Sequence, residues 1–264
     1  MITSSKNPIV QRVAKLRQKK NRDRQNEFLI EGQKEITHAI AAKLDIETLI
    51  HCPQIVNSDT VKKIIRPAKK MPQIIEVAQH LYEKIACRQN VQGTIAIAGK
   101  PKNDIQQLKL PENPLILIAA GIEKPGNIGA LVRNADAAGV DAMIAVDDHG
   151  TDLYNPNVVR ASMGALFTVK TFTLTAEKTV EFLKQNNITL ITAQPNGKRL
   201  YNEIDYTKPV ALAVGREDRG LSDKWQTTPN NCVKIPMTGQ MDSLNVSCAA
   251  AIVLYEALRQ RQIG

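Results

Sequence analysis

Two stretches near the C-terminus combine residue types suited to gripping a small molecule. Residues 235 to 252 read IPMTGQMDSLNVSCAAAI. The apolar strand Val233 to Met237 runs into a polar, Gly-containing loop that enters a helix at Ser243 or Asn245. A loop feeding a helix start offers backbone N–H groups that have no partner inside the helix. Just upstream, VALAVG at Val210 to Gly215 is a continuous apolar run followed by Arg216, Glu217, Asp218, Arg219 and Gly220. That is a buried strand ending in a charged, Gly-bounded turn. Strand ends and a helix start of this kind build the ligand crevice of an open α/β sheet. No GxGxxG follows a strand and no P-loop is present, which argues against a dinucleotide site. Cys52, Cys87, Cys232 and Cys248 lack CxxC spacing, and His38, His51, His80 and His149 form no ligand pair, so plain thiols and imidazoles are expected rather than metal or disulfide sites.

The elements that must position these residues follow from the apolar pattern. Leu115 to Ala120, Ala142 to Val146, Thr189 to Ala193, Val210 to Gly215 and Val233 to Met237 are apolar runs separated by longer helical segments. They predict an α/β fold with a mostly parallel sheet covered on both faces, over residues 115–264. Residues 101–114 are polar, proline-rich and aperiodic, which predicts a linker. Residues 1–100 predict a smaller α/β module, with short strands at Glu27 to Gly32, Glu47 to Cys52, Ile74 to Ala78 and Thr94 to Ala98, and helices around 33–43 and 58–66. Ahead of them, Asn7 and Pro8 can start a helix carrying Ile9, Val13 and Leu16. No apolar run approaches a membrane span and the first residues lack an apolar signal core, so a cytoplasmic protein is expected.

The net charge of +9 is unevenly divided. Residues 1–100 hold 18 Lys and Arg against 9 Asp and Glu, whereas residues 101–264 hold 17 of each sign. The excess points to a polyanion-binding attachment on a neutral catalytic part. Within it, Arg12, Lys15, Arg17, Lys19, Lys20, Arg22 and Arg24 accompany one acid, Asp23. So lopsided a run favours contact with phosphates over a merely solvated face.

The stretches 235–252, GREDRGL at 215–221 and KPGNIGALVRNADAAG at 124–139 resemble, in order and spacing, the three motifs of the SpoU-type RNA ribose 2′-O-methyltransferases. The likeness extends to TDLYNPNVVRASMGALF at 151–167 and to SKNPIVQRVAKL and EFLIEG near the N-terminus. It implies a SPOUT fold with a deep trefoil knot over about 190–252, and a ribosomal-protein-like RNA-binding domain before it. A homodimer through the C-terminal helix is also implied. Val246, Ala249, Ala250, Val253 and Ala257 offer that helix a small-residue face for close packing.

By the same resemblance the cofactor is S-adenosylmethionine. Gly215, Ile235 and Leu244 would contact it, with Ala193, Glu217 and Met237 nearby. Arg133 matches the catalytic arginine, and Asn127, Ser243 and Asn245 would hold it and the ribose. Arg160 would be a second phosphate ligand. Methyl transfer to a ribose hydroxyl requires alignment in line with the methyl donor and help for the departing proton, and no metal. A guanidinium stays protonated in water, which favours phosphate binding and alkoxide stabilisation, while a base role would need strong desolvation. Both roles remain open from sequence. The implied substrate is RNA, ribosomal RNA first; the alternatives are a transfer RNA enzyme and a non-catalytic RNA-binding protein that kept the fold.

Overall fold

The computed structural model describes residues 1–87, 92–146, 152–216, 220–221, 225 and 231–263. The chain divides into two compact units, Met1–Lys102 with Asp152–Thr168, and Asn103–Thr151 with Val169–Gly264. The first 102 residues supply α1 (Pro8–Leu16), α2 (Lys19–Gln25), β1 (Glu27–Glu31), α3 (Gln33–Ala41), β2 (Ile46–His51), α4 (Ser58–Ile65), β3 (Gln73–Glu76), α5 (Gln79–Ile85) and β4 (Thr94–Gly99). Then follow β5 (Leu115–Ala120), α6 (Pro125–Ala137), β6 (Ala142–Val146), α7 (Pro156–Ala161), β7 (Thr171–Leu174) and α8 (Ala176–Gln185). Last come β8 (Thr189–Ala193), β9 (Arg199–Leu200), β10 (Val210–Val214), β11 (Cys232–Lys234) and α9 (Val246–Ile263). Among the described residues no helix is long and apolar enough to cross a membrane.

In the first unit the side chain of Asn7 accepts a hydrogen bond from the Ile9 N–H at 2.9 Å, and Pro8 opens α1, as its sequence predicts. Val10 joins Val13 and Leu16 on the buried face, and Ile9 packs half-buried against the same core. These pack with Leu81, Tyr82 and Ile85 of α5 and with Leu29, Ile50, Ile95 and Ile97 of the sheet. The strand order is β1-β4-β2-β3, with β4 antiparallel to both neighbours and β2 parallel to β3. α2, with the sequence KKNRDRQ, has no apolar residue and therefore no periodicity to announce it.

The segment 152–168 falls within the sequence boundaries of the C-terminal domain, yet it packs in the first unit. Phe28 of β1 lies against the rings of Tyr154 and Phe167, with centroids 4.8 and 6.2 Å apart. Arg22, only 1% exposed, donates to the Leu16 carbonyl at 2.7 Å and forms an ion pair with Asp152.

The second unit is a seven-stranded, all-parallel sheet in the order β7-β6-β5-β10-β8-β11-β9. Burial on both faces explains why β5, β6 and β10 are continuous apolar runs. The sequence reading missed β7, whose TFTL alternates weakly, and the two-residue β9. It also overran β11: Ile235 to Met237 have left the strand. The expected linker is partly structural, because Ile105, Leu108 and Leu110 pack on the core of this unit and the Asn103 amide donates to the Thr171 carbonyl at 3.0 Å.

One expectation is overturned in α9. Of the small-residue face assigned to a dimer, Val246, Ala250, Val253 and Ala257 are buried within the chain together with Leu254, and Ala249 is half-buried. α9 uses that face to pack against α6 and β10. The opposite stripe, Cys248, Tyr255 and Arg259, is exposed, and Ile252 beside it is half-buried.

Candidate active site

β10 lies between β5 and β8, and β11 lies between β8 and β9, although the chain reaches both strands after β8 and β9 are laid down. The C-terminal ends of β8, β10 and β11 therefore meet where the strand order reverses, the place in an open parallel sheet where a crevice forms. A cleft of about 360 Å³ lies there. Ala193, Val214, Gly215 and Val233 come from the strand ends, and Gln194, Pro195, Asn196, Arg216 and Gly220 from the loops after them. Ile235, Met237, Asp242, Ser243, Leu244, Val246 and Ala249 complete the lining. Leu244 is 38% and Met237 37% exposed, so neither is a core residue. Apolar side chains left open in a concave site are suited to the face of an aromatic ring.

Two glycines are explained by backbone crossing. A Cβ on Gly215 would stand 2.5 Å from the Gly220 carbonyl carbon and 2.7 Å from the Leu221 nitrogen. The turn is closed by Arg216 N–H donating to Gly220 O at 3.2 Å and Gly220 N–H returning to Arg216 O at 2.9 Å. Gly215 thus serves the turn itself as well as the cleft. Gly197, unremarked in the sequence, lies where the loop after β8 crosses β11; a Cβ there would meet the Val233 carbonyl carbon at 2.4 Å. A Gly215→Ala variant should bind a ligand in this cleft more than about tenfold more weakly, because the Gly220–Leu221 backbone must shift to admit the Cβ. Calorimetry with S-adenosylmethionine, the ligand implied by the sequence resemblance, checks this, and parental affinity would separate the turn from the cleft.

The first turns of α6 and α9 meet at the same end of the sheet. The Asn245 amide donates to the Asn127 side-chain oxygen at 3.2 Å, and the Asn134 amide donates to the Ser247 carbonyl at 2.7 Å. Asn245 also caps α9, accepting from the Ser247 N–H at 2.9 Å. Ser243 lines the cleft beside them. Arg133 is exposed on α6 and is not among the lining residues. Arg216, which the sequence places in the charged turn without a site role, lines the cleft and forms an ion pair with Glu123 in the loop leading to α6. That pair ties the turn after β10 to the loop that leads into α6, whose first turn carries Asn127. Glu217 lies outside the described residues.

Residues 114–255 match the SpoU rRNA Methylase family. This chain belongs to that family. Residues 7–96 match the MRM3-like substrate binding domain. A 23S rRNA (uridine(2479)-2′-O)-methyltransferase of Streptomyces viridochromogenes is 30% identical over all of this chain and 93% of its own length. A 23S rRNA (guanosine-2′-O-)-methyltransferase RlmB of Bordetella pertussis is 33% identical over 85% of this chain and 96% of its own. The crystal structure of the SpoU methyltransferase AviRb from Streptomyces viridochromogenes in complex with AdoMet superimposes with a TM-score of 0.90. It is 29% identical and covers 98% of this chain and all of that one. The SPOUT methyltransferase fold expected from the sequence is thereby established.

In this SpoU-family chain the substrate-binding domain does not present all seven cations expected of it. Arg12 is held by Glu27 and Glu47, at 2.6 and 2.8 Å, and the two carboxylates, Glu47 foremost, raise its pKa well above the ordinary value. Arg22 is buried against Asp152. Both are internal ion-pair partners, which sequence spacing cannot distinguish from free cations. Lys15, Arg17, Lys19, Lys20 and Arg24 remain exposed, with Lys19 3.5 Å from Asp23 and Arg17 bonded to the Ala86 carbonyl. Arg160 is also exposed and lies in the first unit.

Proposed function

We propose that this chain transfers a methyl group from S-adenosylmethionine to a ribose 2′-hydroxyl of ribosomal RNA. The observation that carries the reading is the cleft at the reversal of strand order, with Ile235, Met237 and Leu244 open beside the Gly215 turn. Its chemistry fits the cofactor: apolar walls for the adenine, and polar Ser243, Asn196 and Gln194 together with loop backbone for the ribose and amino-acid parts. When bound, the cofactor supplies an electrophilic methyl group. The chain's own part is to orient: Asn127 and Asn245 fix the helix starts, and Arg133 binds the phosphate beside the target ribose and steadies the developing alkoxide. The relatives named above act on 23S rRNA, one at a uridine and one at a guanosine, which supports the ribosomal substrate. Chemistry confined to the ribose accommodates either base.

The trefoil knot belongs to the same proposal. The insertion of β11 between β8 and β9, with the Gly197 loop crossing its backbone, supports it. We also infer a cytoplasmic homodimer. Its helix contact would use the outward stripe of α9, Cys248, Ile252, Tyr255 and Arg259, since the other face is filled. Tyr255→Asp should then shift the protein toward monomer in sedimentation at micromolar concentration, and an unmoved boundary would reject that face.

Mapping 2′-O-methyl sites in cellular RNA with and without the protein tests the activity: loss of one ribosomal site is expected, and loss from transfer RNA instead would transfer the reading to that substrate. Neutralising Lys15, Arg17, Lys19 and Lys20 together should flatten the salt dependence of RNA binding by up to about 0.7 to 0.9 in log–log slope for each phosphate no longer neutralised. Cofactor affinity should not change. An unaltered slope would reduce these four to a solvated face.

A further inference from the structure

The N-terminal unit carries a second cationic run that the first one overshadows. Residues 60–75 hold Lys62, Lys63, Arg66, Lys69 and Lys70 and no acid. All five side chains are exposed. Val61, Ile64 and Ile65 bury one face of α4, which turns Lys62, Lys63 and Arg66 outward, and the remaining two lie in the loop to β3. Lys62 pairs with Asp59 at 3.3 Å. Lys70 adds to Arg12 in holding the Glu47 carboxyl below its usual range. Among the described residues no ion pair involves Lys63, Arg66 or Lys69.

The run leads directly into an open strand. β3 ends the sheet, with β2 as its neighbour. Its far end is bridged by Ile2, whose N–H donates to the Glu76 carbonyl at 2.7 Å. At its near end Met71 is 62% and Ile74 44% exposed. Lysines commonly blunt an open strand edge. A run of five like charges without an acid repels itself, however, and a polyanion relieves that repulsion. Apolar side chains between cations match RNA, which offers phosphates alongside splayed bases and ribose faces.

We infer that the α4–β3 segment is a second RNA-contacting surface, additional to the cations of α1 and α2, that takes a sugar-phosphate backbone on Lys63, Arg66, Lys69 and Lys70 and a base or ribose on Met71 and Ile74. This rests on the ribosomal RNA reading above. The unit then grips RNA at two places, and the cations of α1 and α2 account for only part of its affinity.

The test uses the full chain and 23S rRNA from cells lacking the protein, with binding measured across a salt series. Changing Lys63, Arg66, Lys69 and Lys70 to Gln should flatten the log–log slope by up to about 0.7 to 0.9 for each phosphate set free. The effect should add to that of the α1–α2 variant. Restoring the charges with Arg at 63, 69 and 70 and the native Arg66 should restore the slope. Met71→Ser should weaken binding a few-fold at an unchanged slope. Because the cofactor cleft lies in the other unit, a parental circular-dichroism spectrum and melting curve are the check that each variant is folded. A parental slope in the Gln variant, beside a flattened one in the α1–α2 variant, overturns the second surface and leaves the methyltransferase reading intact. A parent that binds 23S rRNA but does not methylate it would overturn the activity and leave the surface to be judged on slope alone. A parent that does not bind 23S rRNA at all overturns both.

Discussion

Arg133→Ala should lower methyl transfer by at least about 10³-fold while leaving S-adenosylmethionine affinity at the parental level and RNA affinity within a few-fold. The size follows from the role proposed for Arg133, because losing even a neutral donor to a developing oxyanion costs roughly 10² to 10³ in rate. Sparing of the cofactor follows from position, because Arg133 is exposed on α6 and absent from the cleft lining. Single-turnover methylation and calorimetry on the same preparation separate the two effects. Retained turnover would sink the proposed role. Since one chain's cleft lacks its own Arg133 among the lining residues, mixing Arg133→Ala with Gly215→Ala protein also has a definite reading. Partial recovery means that one copy completes the other's site, and no recovery means that each chain acts alone.

Asp152→Ala should destabilise the first unit by about 3 to 5 kcal/mol, the usual cost of stripping the partner from a buried charge. Arg22 is 1% exposed and its remaining described hydrogen bond is to the Leu16 carbonyl, so the guanidinium would stay buried and uncompensated. For a unit of this size the loss corresponds to roughly 12 to 20 °C in melting temperature. Replacing both partners by apolar residues, Arg22→Met with Asp152→Leu, should recover most of it, because well-packed apolar substitutes for a buried pair are often neutral. Calorimetry decides. A single variant within about 1 kcal/mol of the parent would mean that water reaches Arg22.

The fold was legible wherever burial writes a simple pattern. β5, β6 and β10 are buried on both faces and announce themselves as continuous apolar runs, whereas β7 and β9 are short edge-side strands with little apolar signal. Charge was legible in amount but not in use. Arg12 and Arg22 look like their neighbours in sequence, and only the approach of Glu27, Glu47 and Asp152, from elsewhere in the chain, separates them. Small residues were equally ambiguous: Ala250 and Ala257 suit close packing, but nothing local says whether the surface opposite is α6 or another copy. Around the cleft, motif residues such as Gly215, Ile235 and Leu244 could be read, while Gly197 and Arg216 acquire meaning only from what crosses or meets them.

The strand order also governs how the chain can come into being. β5 and β8 are complete by residue 193, yet β5 becomes an inner strand, and β8 joins the sheet, only when β10, residues 210–214, enters between them. β8 gains its other neighbour later still, from β11 at 232–234. During synthesis the centre of the sheet therefore waits, with bare strand edges on apolar segments, for the last strands to leave the ribosome. Pairings so distant in sequence make folding slow and leave sticky edges uncovered in the meantime. Output of active protein should depend on how well the growing chain is shielded over that interval.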